Sequence, residues 1–255
     1  MTPEGESRRR TAIAAAMLAV CLAACASSSV EAQPAADAGP VAVEVRSRPL
    51  EAFDLRDRAR RRFGQLEFRS GLVLTSSFKP FGGLSAFRVD PKGEGFIAMN
   101  DKGDWFTGRL VYKGKALAGL AGVRSAPMLG SDGRPITSKK LYDSESLAID
   151  GTTLYVGIER VNRLLKFDFR HGGIAARGEE VPVPPAFRRL PHNKGPEGLV
   201  FVPKGMPLEG TLIVVSERGL DASGNLVGLL IGGAQPGQFG AHGDGPPPGA
   251  VHLGG

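Results

Sequence analysis

Three short phrases bring acidic and basic side chains to the ends of apolar runs. Asp143-Ser-Glu-Ser-Leu-Ala-Ile-Asp150 is followed by Gly151-Thr-Thr-Leu-Tyr-Val-Gly-Ile-Glu-Arg160. Upstream, Gly82-Gly-Leu-Ser-Ala-Phe-Arg-Val-Asp90 precedes Gly95-Phe-Ile-Ala-Met-Asn-Asp-Lys102. Downstream, Gly195-Pro-Glu-Gly-Leu-Val-Phe201 precedes Gly210-Thr-Leu-Ile-Val-Val-Ser-Glu-Arg218. The pairs Asp101-Lys102, Glu159-Arg160 and Glu217-Arg218 recur every 58 residues. Repetition on this scale marks an array of similar supersecondary units. In such an array Asp101, Asp143, Glu145, Glu159, Asn193, Glu197 and Glu217 gather at one rim. An oxygen-only donor set of this kind suits a hard cation, calcium above zinc. Glu197 is a candidate for handling water, and Arg160 and Arg218 for clamping an anionic group. His192, in Pro191-His-Asn-Lys194, is a further candidate base. The bland alternative is that each acid–base pair is a structural salt bridge.

The elements that position these residues read as strands. Apolar runs of four to eight residues are separated by turn chemistry such as Asp90-Pro-Lys-Gly and Asp101-Lys-Gly-Asp. Gly 36 and Pro 19 in 255 residues suit many short strands joined by turns. The expected fold class is all-β. The internal repeat favours a β-propeller over a sandwich, with first strands lining a channel and second strands returning beside them. Three units and a partial first hairpin, Leu66-Glu-Phe-Arg with Leu72-Val-Leu-Thr-Ser around Ser70-Gly71, are fewer than the roughly four to eight blades of a closed ring. The expectation is therefore an incomplete propeller over residues 41–231, lacking C-terminal blades. Residues 51–63 read as irregular or as a short helix, 113–141 as a Gly- and Ala-rich excursion, and 170–194 as an irregular loop. Residues 232–255 read as a low-complexity Gly/Pro-rich tail without a strand pattern.

The N-terminus carries a targeting signal. Arg8-Arg-Arg10 precede the apolar run Thr11–Leu22 and then Leu22-Ala-Ala-Cys25. A basic segment, a short apolar run and small residues before a cut describe export rather than a membrane span. The tetrapeptide resembles a bacterial lipobox, which makes Cys25 the expected lipidation site and the membrane a partner through that anchor. The alternative is ordinary cleavage near Ala32. Residues 26–40 then read as a flexible tether. The expected location is the bacterial periplasm or cell envelope. Only Cys21 and Cys25 exist, so the folded region has neither a disulfide nor a thiol nucleophile. A formal net charge of +6 is mild. Arg56, Arg58, Arg60, Arg61 and Arg62 crowd one segment, read as a solvated face in preference to a nucleic-acid or anionic-surface patch.

The phrases Phe81-Gly-Gly-Leu-Ser-Ala, Asp143-Ser-Glu-Ser-Leu-Ala and Asn193-Lys-Gly-Pro-Glu-Gly-Leu, with their Asp-Lys or Glu-Arg strand ends, resemble the esterase-like-activity-of-phytase family. The resemblance runs from about Phe63 to Ile231. It implies a β-propeller, export, and hydrolysis of phosphate or carboxylic esters with calcium. The first unit departs from the pattern, carrying Leu84-Ser85 where later units carry Glu-Ser or Glu-Gly. No Gly-x-Ser-x-Gly elbow, P-loop or dinucleotide fingerprint is present. The rival functional classes are a non-catalytic envelope module that binds a ligand or protein, and a lactonase-like metal propeller acting on cyclic esters.

Overall fold

Alternating apolar runs and glycine turns build the chain into successive antiparallel sheets. A computed structural model describes residues 39–222 and 224–232, and the backbone of 250–253. The first sheet runs through β6 (Leu84–Val89), β7 (Gly95–Asn100), β8 (Asp104–Lys113) and β9 (Ala116–Pro127), with β1 (Val41–Ala42) added at its outer edge. The second runs through β11 (Ser144–Asp150), β12 (Thr153–Ile158), β13 (Arg163–Asp168) and β14 (Arg177–Glu180), with β10 (Leu129–Gly130) outermost. The third comprises β15 (Pro196–Phe201), β16 (Leu212–Leu220), β17 (Leu226–Ile231) and β18 (Ala250–Leu253). Each sheet is built on a four-strand antiparallel meander in sequence order, because tight turns bring neighbouring strands together before distant ones can compete, and β10 is added parallel to β14. At the β11–β12 corner, Gly151 at φ 57° occupies a conformation that costs a side chain dearly.

Both faces of the second sheet are apolar, and each is buried against a different neighbour. Leu147, Val156 and Phe167 pack with Met99, Trp105 and Met128 of the first sheet and the segment after it. Ala148, Tyr155 and Leu164 pack with Leu199, Leu212, Val214 and Ile231 of the third. Trp105 meets Phe167 and Phe169 edge-on, with centroids 5.3 Å away in each case. The far face of the first sheet is closed by Val43, Val45, Phe78 and Phe81 over Phe96, Ala98 and Phe106.

The all-β expectation holds. Among the described residues the sheets do not close into a ring. Several local expectations are corrected. The hairpin around Ser70-Gly71 does not form: β4 (Leu66–Glu67) pairs with β3 (Arg62–Phe63), and β5 (Leu72–Thr75) pairs with β2 (Arg46–Pro49). Gly71 there makes room for Leu50, whose Cδ2 would lie 3.2 Å from an added Cβ, instead of turning the chain. Residues 51–63 contain no helix. The 113–141 excursion contains the long strand β9, which pairs with β8 and bulges at Gly122, whose φ is 59°. The loop at 170–194 holds β14 and two short helical turns, α1 (Phe169–Gly172) and α2 (Pro185–Arg188). Ala250–Leu253, within the segment read as a tail, pairs antiparallel with β17. The leader, Cys25 and the tether up to residue 38 lie outside the described residues.

Trp105 is fully buried at the junction of two sheets. Trp105→Ala is expected to lower stability by about 3–5 kcal/mol, read from the urea midpoint of unfolding. A loss below about 1 kcal/mol would mean that the two sheets do not depend on this contact.

Candidate functional site: a carboxylate rim across three sheets

The first strands of the three sheets share one irregularity. The β6–β7 register shifts between Leu84 and Ala86, the β11–β12 register between Ser144 and Ser146, and the β15–β16 register between Pro196 and Gly198. Ser85, Glu145 and Glu197 are therefore the extra residues of three equivalent bulges. Bulges bend a strand and re-aim one side chain. The residues opposite them are Asn100, Ile158 and Ser216, each immediately before Asp101, Glu159 or Glu217. Repeated folding, more than spacing alone, thus aligns these acids.

A line of hydrogen bonds then joins the sheets at this edge. Asp101 N–H donates to Gly83 O at 3.0 Å, and Asp143 N–H donates to Asp101 O at 3.0 Å. Glu159 N–H donates to Asp143 O at 2.7 Å. Gly195 N–H donates to Glu159 Oε1 at 3.1 Å, and Glu217 N–H to Gly195 O at 3.0 Å. Asp143 sits at φ 65°, the conformation that Gly83 holds at φ 60° in the first unit. Serine hydroxyls add further ties between sheets: Ser85 Oγ donates to Ser144 O, and Ser146 Oγ to Pro196 O.

Crowding of like charge follows. Burial pushes the Glu145 carboxyl up to about 7, and Glu197, Asp143, Glu159 and Asp101 add to it. Burial also raises Glu159, reinforced by Asp143, Glu197 and Glu217 and opposed by the Gly195 N–H. Glu197 is raised by burial, then by Glu217 and Asp143. Opposing cations are few and peripheral. Arg160 reaches Asp143 at 3.4 Å, and Arg218 reaches its neighbour Glu217 at 3.6 Å, both from exposed positions. The acid–base pairs do not tie sheet to sheet; the backbone and serine bonds do.

Asp101, Asp143, Glu145, Glu159, Glu197 and Glu217 are thus brought into one electrostatic neighbourhood. Asn193, at φ 57°, and His192 lie exposed on the preceding turn. Neither is hydrogen-bonded to a rim carboxylate among the described residues. Two buried oxygens at the rim have no hydrogen-bond partner, Asp101 Oδ1 and Asn162 Oδ1. Asn162, whose Nδ2 donates to Leu190 O at 2.6 Å, escaped the sequence reading because it belongs to none of the repeated phrases. Among the described residues, no three His, Cys, Asp or Glu side chains stand close enough, as they lie, to hold a metal ion.

The repeated wording has a counterpart in known proteins. The family model described as phytase-like, esterase-like activity of phytase, matches residues 79–243. This chain belongs to that family. The matched span contains all three bulges and every rim carboxylate. No curated protein matches the sequence. Among solved structures, a candidate 6-phosphogluconolactonase from Bacteroides uniformis is similar at 14% identity, with 65% of this chain and 61% of that chain covered and a TM-score of 0.34. The extracellular domain of a candidate hybrid two-component system from B. thetaiotaomicron is similar at 13% identity, covering 58% of this chain and 30% of that one, with a TM-score of 0.18. The chain therefore spans less than two thirds of either neighbour.

A carboxyl held above its unfolded value keeps its proton in the folded state after the unfolded chain has lost it. Stability must then fall as pH rises from about 4.5 to about 7 through Glu145. Glu145→Gln, which cannot ionise, is expected to flatten that decline and to raise the thermal midpoint at pH 8 in chelator. A midpoint unchanged or lowered at pH 8 would show that Glu145 is not under charge repulsion.

Proposed function

We propose that this protein is an exported, lipid-anchored hydrolase of phosphate or carboxylic esters, with its three meanders forming part of a β-propeller and its rim acids at the channel mouth. The observation that carries this reading is the convergence of six carboxylates, three of them with raised pKa values, on one edge of three repeated sheets. Membership of the esterase-like phytase family supports the class of reaction. Successive meanders whose first strands pack against one another support the propeller. The export signal and Cys25 support the envelope location.

The rim suits a hard cation in its chemistry. Its donors are all oxygens, they repel one another, and Asp101 carries a buried oxygen without a partner. Glu145, Glu159, Glu197 and Asp143, with Asp101 and Glu217 beside them, would hold calcium. Bound there, calcium would supply Lewis-acid polarisation of an ester oxygen. The chain's own groups do the rest. Glu197, exposed on its bulge, orients a water molecule and takes its proton. Arg160 and Arg218 hold the anionic part of the substrate. His192, exposed on the turn before Gly195, is the candidate for a second proton carrier.

A second reading, a non-catalytic binding module, is favoured by one observation. A groove of about 730 Å³ lies at the opposite ends of the first strands, lined by Arg88, Phe96, Ile97, Ile149, Leu199 and Phe201. A mainly apolar cavity of this size suits a small ligand.

Thermal unfolding in chelator and then in calcium, alongside hydrolysis of a nitrophenyl phosphate, a nitrophenyl acetate and a lactone, separates the readings. Calcium at about a hundred times its dissociation constant should stabilise the fold by about 2.7 kcal/mol. Glu197→Gln should lose at least about a hundredfold in turnover while still unfolding in one cooperative transition. Midpoints indifferent to calcium would sink the metal. Absence of turnover on all three substrates would favour the binding module.

A further inference from the structure

Residues 50–71 form an excursion whose ends are pinned together. Leu50 N–H donates to Gly71 O at 2.8 Å, and Pro49 pairs with Leu72 where β2 meets β5. The excursion has a small aromatic centre of its own. Phe53 lies 5.1 Å from Phe63 and 5.8 Å from Phe68, centroid to centroid. Guanidinium groups stack on this cluster, Arg60 at 4.8 Å from the Phe63 ring and Arg61 at 4.9 Å from Phe68. Arg61 is also fixed by donating to Arg69 O at 3.0 Å. It is a built knob and not a loose charged loop.

Its surface combines two properties that proteins usually keep apart. The three most exposed large apolar side chains among the described residues are Leu55 and Leu66, each 75% exposed, and Phe53 at 64%. All three belong to this knob. Beside them Arg61, Arg69, Lys113 and Lys115 line a shallow groove of about 480 Å³, with Glu67 as its one acid. Arg58 and Arg60 pair with Glu51 and Asp54. Among the described residues no carboxylate lies in ion-pair distance of Arg61, Arg62, Arg69, Lys113 or Lys115. A solvated charged face needs no exposed leucines. Exposed apolar groups ringed by basic ones fit a surface that is negative outside and hydrocarbon beneath. The knob also lies outside the span matched by the family, which begins at residue 79.

We propose that residues 50–71, together with Lys113 and Lys115 of the β8–β9 turn, dock the protein onto an anionic phospholipid surface. Phe53, Leu55 and Leu66 enter the headgroup boundary, and Arg61, Arg62, Arg69, Lys113 and Lys115 engage lipid phosphates. This contact is independent of Cys25 and of catalysis at the rim. A basic and apolar contact beside a lipid anchor would fix the face that the protein presents to the membrane.

The test is sedimentation of the full chain carrying Cys25→Ser with vesicles of phosphatidylcholine alone or mixed with phosphatidylglycerol. The apolar leader is common to all samples, so the differences are what is read. Partitioning onto the mixed vesicles should exceed that onto phosphatidylcholine at least about tenfold and weaken with salt. Arg69→Gln with Lys115→Gln should remove most of that preference. Leu55→Ala with Leu66→Ala should lower partitioning further, with the unfolding midpoint unchanged in both variants because these side chains are exposed. Equal partitioning onto both vesicles, or variants that partition like the parent, would overturn the proposal. So would retention on duplex DNA without preference for anionic vesicles, which would assign the basic groove to nucleic acid.

Discussion

Everything at the rim depends on one constraint: like charges are held together by the main chain. The Asp143 N–H joins the second sheet to the Asp101 carbonyl, and the Gly195 N–H joins the third to the Glu159 carboxylate. The N–H groups of Glu159 and Glu217 are bonded within their own sheets, so these acids cannot drift apart in response to repulsion. The energy of sheet association is drawn from the apolar contacts behind them, Trp105 against Phe167 and Tyr155 against Phe201. The cost appears in front, as carboxyls that hold their protons too long. Such an arrangement favours whatever brings positive charge to the rim, a proton included.

The second sheet carries the largest share of this strain. It is the only one of the three with both faces covered by another meander, and it supplies Asp143, Glu145 and Glu159. In the first unit the bulge residue is Ser85, whose hydroxyl is spent on the carbonyl of Ser144. The first sheet thus contributes a brace and one acid, Asp101, while the later two contribute paired acids. The departure of the first unit from the repeated wording is therefore a change of job, from charge to cohesion, and it lowers the number of carboxylates competing for the same space.

The repeat, the all-β class and the shared edge were legible because each rests on local pattern: strand alternation, turn residues, and acids at the same offset from apolar runs. The bulges were not, since nothing in Gly-Leu-Ser-Ala or Pro-Glu-Gly-Leu reveals that one residue will be left without a partner across the strand. β9 was hidden because its glycines and alanines resemble a loop, although Gly122, at φ 59°, only lets the strand bulge against β8. The pairing of β5 with β2 required contact between Leu50 and Gly71, which neighbouring residues cannot announce. Asn162 and its unpartnered oxygen lay outside the repeated words and so outside the argument from repetition.

The joints between sheets have one further consequence. Each requires only a main-chain donor at the start of one meander and an oxygen at the end of the second strand before it, whether a carbonyl, as at Asp101, or a carboxylate, as at Glu159. Since every sheet meets only its sequence neighbours through such a joint, the polar part of the contact is a repeatable unit, and what distinguishes one junction from the next is the apolar face behind it.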